Sequence, residues 1–134
     1  PAGSVFAAYH RTGVDTLTAP GSRIEGIGRP RVEPSFIRTL VDRMEEVADV
    51  DSIAAMRALS AMLGRRVGPS TGTNFVAMMR LACEMRDAGQ EGSILSLLCD
   101  SGERYLPTYF NDQWVSSCMG SCDTAGARIQ ALVA

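Results

Sequence analysis

The sequence contains no lysine; all 13 of its basic residues are arginine. No lysine Schiff base with a carbonyl group can therefore form on this chain. Histidine is nearly absent too, with His10 alone, and the four cysteines Cys83, Cys99, Cys118 and Cys122 stand far from it in sequence. That spacing fits no common zinc pattern, so a metal site is not expected. No apolar run approaches the ~20 residues that a membrane helix needs. No charged-then-apolar start marks a secretion signal. There is no basic block, and the net charge is −2. These absences argue against nucleic-acid and membrane partners and for a cytoplasmic protein. The chain opens on Pro1 rather than methionine, and we expect it to be a fragment or a processed piece.

At 46% hydrophobic and 21% charged residues, the 134-residue chain has the composition of a globular protein rather than a disordered one. A chain of this size can bury roughly two thirds of its unfolded surface. Residues 1–34 are rich in turns, broken at Gly13 and at Ala19-Pro20-Gly21-Ser22. Ser4–Tyr9 reads as a short strand or a helical turn. Ile53, Met56, Leu59, Met62 and Leu63 recur at three and four residues, the spacing of a helix face, with Asp49 or Asp51 as its N-cap and Gly64 as its stop. A second long helix is predicted from Thr73 to Ala88, with Phe75, Val76, Met79, Ala82 and Cys83 inward. Ser93-Ile94-Leu95-Ser96-Leu97-Leu98-Cys99 is the best strand candidate, and its near-continuous apolar character predicts burial on both faces, as in a parallel sheet. Alternating helices and strands over residues 51–99 imply an α/β fold with a right-handed crossover. Residues 115–134 are small and polar, then weakly helical.

Three stretches carry chemistry. In Gly68-Pro69-Ser70-Thr71-Gly72-Thr73-Asn74, proline and two glycines force a turn, and four polar side chains surround a helix start. A helix N-terminus carries unpaired N–H groups and a partial positive charge, so the turn can be a simple cap or can hold an anion or the polar edge of a cofactor. Asp100-Ser101-Gly102-Glu103 follows at the carboxyl end of the predicted strand, where ligands bind in open α/β sheets; a capped helix start is the other reading. Ile24-Glu25-Gly26-Ile27-Gly28 places two glycines where a backbone or a ligand can come close. Cys118 and Cys122 read as a redox pair or as ordinary free thiols.

Taken together and in order, Ile24–Gly28, Gly68–Gly72 and Asp100–Leu106 resemble the C-terminal half of the cysteine synthase / cystathionine β-synthase family, the fold type II enzymes that use pyridoxal 5'-phosphate. The resemblance covers roughly residues 20–112. Gly28–Pro34 and Tyr109-Phe110-Asn111-Asp112 look most like the bacterial cysteine desulfhydrase branch. The family implies a three-layer α/β sandwich with a mostly parallel sheet, and a strand at Val41–Val47, where periodicity alone favours a helix. On this reading residues 1–112 are the C-terminal part of a catalytic domain, and 113–134 a tail of unclear structure.

The resemblance also implies roles. The serine matching Ser70 hydrogen-bonds the ring nitrogen of the cofactor. A neutral hydroxyl there, at the positive end of a helix, favours only moderate electron withdrawal by the ring, which suits elimination at the β-carbon. Gly26 and Gly28 line the cofactor and substrate face, and Asp100 and Ser101 lie near the edge of the ring. The family's Schiff-base lysine, carboxylate-binding loop and phosphate loop lie upstream of the matching region, so no catalytic residue is expected within these residues. The implied activity is cysteine desulfhydration to pyruvate, ammonia and sulfide. The alternatives are cysteine synthesis from O-acetylserine and sulfide, or a non-catalytic fragment. The implied partners are an amino-acid substrate, the upstream half of the same enzyme and a second subunit in a homodimer.

Overall fold

The computed structural model describes residues 1–133. They divide into two compact units, residues 1–49 and residues 50 onward.

The first unit is mostly irregular. Helix α1, Phe6–Thr12, ends where Gly13 takes a left-handed conformation at φ 74° and returns its N–H to Tyr9. Phe6 stacks on Phe36 with ring centroids 4.3 Å apart. Val5, Ala7, Ile24 and Val47 are buried. Backbone bonds from Val5 N to Arg29 O, Gly21 N to Gly3 O and Ala2 N to Val47 O hold the loops together. The segment expected as a strand, Val41–Val47, makes no ladder. It follows a 3-10 turn at Arg38–Leu40, and Val41 is extended without a strand partner. The local helical periodicity of this segment is not realised beyond that one turn either.

The second unit is helical. Helix α2 runs Asp49–Leu63 and α3 runs Pro69–Asp87. They are followed by a 3-10 turn at Glu103–Tyr105, then α4, Asp112–Met119, and α5, Asp123–Val133. The predicted inward face of α2 holds in its first three turns, where Ile53 and Met56 are fully buried and Leu59 nearly so, but not at its end, where Met62 is 60% and Leu63 45% exposed. Helix α3 crosses α2 at Gly72, where a Cβ would overlap the carbonyl oxygen of Ser52. Only glycine lets the two backbones come that close. Beside it Thr73 Oγ1 donates to Ser52 Oγ at 2.8 Å. Phe75 and Val76 continue the packing, and α5 lies against α3 with Ala125 and Ile129 buried. Arg128 of α5 forks onto the buried carboxylate of Asp51.

Helix α3 begins earlier than the sequence pattern predicts. Its N-cap is Gly68 and Pro69 is its first residue, with no side-chain cap. Proline suits that position because its fixed φ is helical and its missing N–H would have no partner there. The Ser and Thr residues of the turn therefore lie inside the helix and are free for other bonds.

The expected parallel sheet is not formed among the described residues, whose β-pairing consists of two isolated antiparallel bridges, Thr18 with Arg31 and Val67 with Ser101. Ser93–Cys99 is not a strand, and it is not buried: Leu95 is 95% exposed and Leu97 70%. The reason is physical. A strand is defined by its ladder, and a run apolar on both faces needs covering layers on both. Neither is supplied to this run by the described residues.

Candidate functional site

The carboxyl end of the 93–99 run is fastened to the start of α3 by a series of bonds. Asn74 Nδ2 donates to Leu97 O at 3.3 Å. Cys99 N donates to Thr71 Oγ1 at 2.9 Å. Gly68 N donates to Asp100 O at 2.9 Å, and Gly102 N donates to Arg66 O at 3.1 Å. The result is a fixed crossing of two loops in front of the first turn of α3. Gly68 permits it, because a Cβ there would overlap the Asp100 carboxylate.

The polar side chains of the turn are not used alike. Thr71 is taken by Cys99 N, Thr73 by Ser52 and the Pro69 carbonyl, and Asn74 by Leu97. Ser70, only 8% exposed, makes no side-chain hydrogen bond to any described residue. Its oxygen is not fully enclosed, since the fully buried side-chain polar atom left without a partner among the described residues is Arg57 Nη2, so the Ser70 hydroxyl is open to a further partner. It also sits in the first turn of a 19-residue helix, where the backbone dipoles present a positive end.

Asp100 and Ser101 lie across the crossing from that turn and are exposed. Both line a pocket of about 240 Å³ whose wall also includes Arg65, Arg66, Cys99 and Glu103. Arg66 pairs with Glu103 at 3.2 Å. Ser101 Oγ accepts the N–H of Glu103 at 3.4 Å. The carboxylate of Asp100 accepts from Tyr105 Oη at 2.7 Å. Tyr105 is buried and packs on Tyr109, ring centroids 5.2 Å apart. Asp100 and Ser101 thus share one pocket beside the start of α3, and Ser70 is not among its lining residues.

Gly26 and Gly28 belong to the first unit. Both have positive φ, 86° and 81°. Gly26 faces open space, whereas a Cβ at Gly28 would overlap Ser22. Ser22 is itself fixed, donating from Oγ to Asp49 at 2.8 Å and accepting the N–H of Ile24 at 2.9 Å.

Two residues carry no signal in the sequence pattern. Tyr105 stands in the Gly102-Glu103-Arg104-Tyr105 turn with no sign that its hydroxyl reaches back to Asp100. Arg57 of α2 donates from Nε to Tyr109 O at 2.9 Å and from Nη1 to Asp112, while its buried Nη2 has no partner. It borders a wide cleft, about 820 Å³, shared with Asp112, Ser121, Cys122 and Asp123. Burial, more than the neighbouring carboxylates of Asp112, Asp123 and Asp51, pushes the Cys122 thiol up, against the pull of Arg57. Cys118 and Cys122 are both free thiols. Among the described residues no cluster of histidine, cysteine and carboxylate side chains is arranged to hold a metal, and no helix is long and apolar enough to cross a membrane.

No family model matches the chain. It is similar to an L-cysteine desulfhydrase of Mycobacterium tuberculosis, 57% identical over 84% of this chain and 30% of that protein. An N-(2-amino-2-carboxyethyl)-L-glutamate synthase of Ralstonia nicotianae is 34% identical over 84% of this chain and 32% of its own length. Cysteine synthase 2 of Schizosaccharomyces pombe is 30% identical over 84% of this chain and 28% of its own length. The chain spans about a third of the length of these relatives.

Proposed function

Because this chain, over the residues that align, belongs to the family of pyridoxal-phosphate-dependent cysteine desulfhydrases and cysteine synthases, we propose that it is the C-terminal portion of an L-cysteine desulfhydrase. The observation that carries this reading is Ser70: a largely buried residue in the first turn of α3 whose hydroxyl, not fully enclosed, makes no hydrogen bond to the described residues, while its neighbours Thr71, Thr73 and Asn74 are all engaged. That arrangement fits a neutral donor to a ring nitrogen.

In this proposal pyridoxal 5'-phosphate supplies the electron sink that lets the α-proton and then the β-substituent of cysteine leave. Ser70 donates to the ring nitrogen without adding a charge. Asp100 and Ser101, which line the pocket beside the start of α3, stand at the ring's edge. The lysine that would carry the cofactor covalently is supplied by the upstream half of the enzyme, since this chain has none. The products are pyruvate, ammonia and sulfide. Within the whole enzyme, Ser93–Cys99 joins a mostly parallel sheet in a three-layer sandwich, which covers Leu95 and Leu97. The enzyme acts in the cytoplasm as a homodimer.

Cysteine synthesis from O-acetylserine and sulfide is the second reading, and the similarity to a cysteine synthase favours it. Full-length protein loaded with pyridoxal phosphate separates the two. The desulfhydrase reading expects sulfide and pyruvate in equal amounts from L-cysteine. Cysteine formed from O-acetylserine and sulfide, without pyruvate from cysteine, would reverse the assignment. The isolated chain should develop no visible cofactor band and release no sulfide.

A further inference from the structure

We propose that Tyr105 is a positioning residue for the cofactor site, and that it acts by fixing the Asp100 carboxylate as a countercharge at the N-terminus of α3. This rests on the reading that the chain presents Ser70 to pyridoxal phosphate.

Three observations meet at Asp100. Its Oδ2 accepts from the buried Tyr105 hydroxyl at 2.7 Å. Its Oδ1 lies against the Cα of Gly68, the N-cap of α3, so closely that any side chain at Gly68 would collide with it. Its backbone oxygen accepts the N–H of the same glycine at 2.9 Å. The carboxylate is therefore held at the end of the helix whose first turn carries Ser70. A negative charge at a helix N-terminus offsets the positive end of the dipole. A group hydrogen-bonded to Ser70 then meets a less positive potential than the bare helix would create.

Tyr105 acts through Asp100, to which its hydroxyl donates. Its ring is seated on Tyr109, and the guanidinium of Arg104 lies over it at 5.1 Å from the centroid. The hydroxyl is thus positioned by the packing of its ring. The other charged or titratable groups around Asp100 are Arg65, Arg66, Cys99 and Glu103, of which Arg66 and Glu103 pair with one another.

The test is the full-length protein loaded with pyridoxal phosphate, its visible absorption followed against pH in the parent, Tyr105→Phe, Asp100→Asn and the double variant. Tyr105→Phe keeps the ring on Tyr109 and frees the carboxylate; Asp100→Asn keeps the shape and removes the charge. Each should move the midpoint of the cofactor's titration down by ~0.2–0.7 pH unit, the size of one charge beside a helix end. The double variant should match Asp100→Asn, because the tyrosine acts only through the carboxylate. Variants that bind the cofactor with an unmoved midpoint, whether or not their melting temperature falls, would leave Tyr105 with a structural role only and overturn the proposal. Failure of the parent protein to bind pyridoxal phosphate at all would overturn the cofactor reading, and this inference with it.

Discussion

The side-chain oxygen of Thr71 accepts the backbone N–H of Cys99 at 2.9 Å, joining two residues 28 positions apart. Thr71 is 1% exposed, in the first turn of α3. Cys99 ends an apolar run that has no ladder of its own. The bond substitutes one side-chain acceptor for the strand partner that the run lacks among the described residues, and it holds the Asp100–Gly102 turn in front of Ser70.

Thr71→Val keeps the shape of the side chain and removes the acceptor. The Cys99 N–H is left without its partner, and we expect a loss of about 1 kcal/mol in unfolding free energy. Urea denaturation of the chain reads this directly as a lower midpoint at constant slope. An unchanged midpoint would mean that water replaces Thr71 without cost.

Two glycines should respond in opposite directions. Gly72→Ala drives a methyl into the Ser52 carbonyl and the Met56 backbone, so α2 and α3 must separate, at about 1–3 kcal/mol. Gly126, in α5, has open space where a methyl group would stand, with no neighbouring atom within 4 Å. Gly126→Ala should therefore raise stability by about 0.5–1 kcal/mol through helix propensity. Thermal denaturation of both variants beside the parent chain tests the pair.

Cys122 should resist alkylation beyond the ordinary thiol range. Burial raises its folded-state value, with Asp112, Asp123 and Asp51 adding and Arg57 opposing. Because the folded chain holds the proton more tightly than the unfolded one, the associated stability is present in full below the unfolded thiol value, about 8.5. It is lost as pH rises through the higher folded value. The rate of iodoacetamide labelling at Cys122, followed by mass spectrometry against pH, should show a midpoint that falls when the chain is unfolded in urea. Identical midpoints in both states would contradict the burial argument.

Much of the helical framework is legible in the sequence, because α2 and α3 present local periodicities that need no distant partner. Ile53, Met56 and Leu59 fall inward as their spacing predicts, whereas Met62 and Leu63 of the same pattern are exposed at the helix end, because no described element covers them there. The start of α3 is harder to place from sequence, because Ser and Thr read as caps, whereas Gly68 and Pro69 take those positions and release the hydroxyls. The composition of Ser93–Cys99 reads as a buried strand, but a ladder and two covering layers are non-local, and Leu95 stands exposed without them. The site is legible only in part for the same reason. Ser70, Asp100 and Ser101 can be named from motifs. The Gly68–Asp100 contact and the Tyr105–Asp100 bond depend on a crossing that no local pattern encodes.

The most direct test of the central claim is the affinity of the full-length protein for pyridoxal phosphate with and without the Ser70 hydroxyl. Titration of cofactor absorbance in the parent and in Ser70→Ala should show binding weakened roughly fivefold to tenfold and an altered spectrum, the loss of one hydrogen bond of about 1–1.4 kcal/mol. Equal affinity and an identical spectrum in the two proteins would contradict the account, and would return Ser70 to the ordinary first turn of a helix.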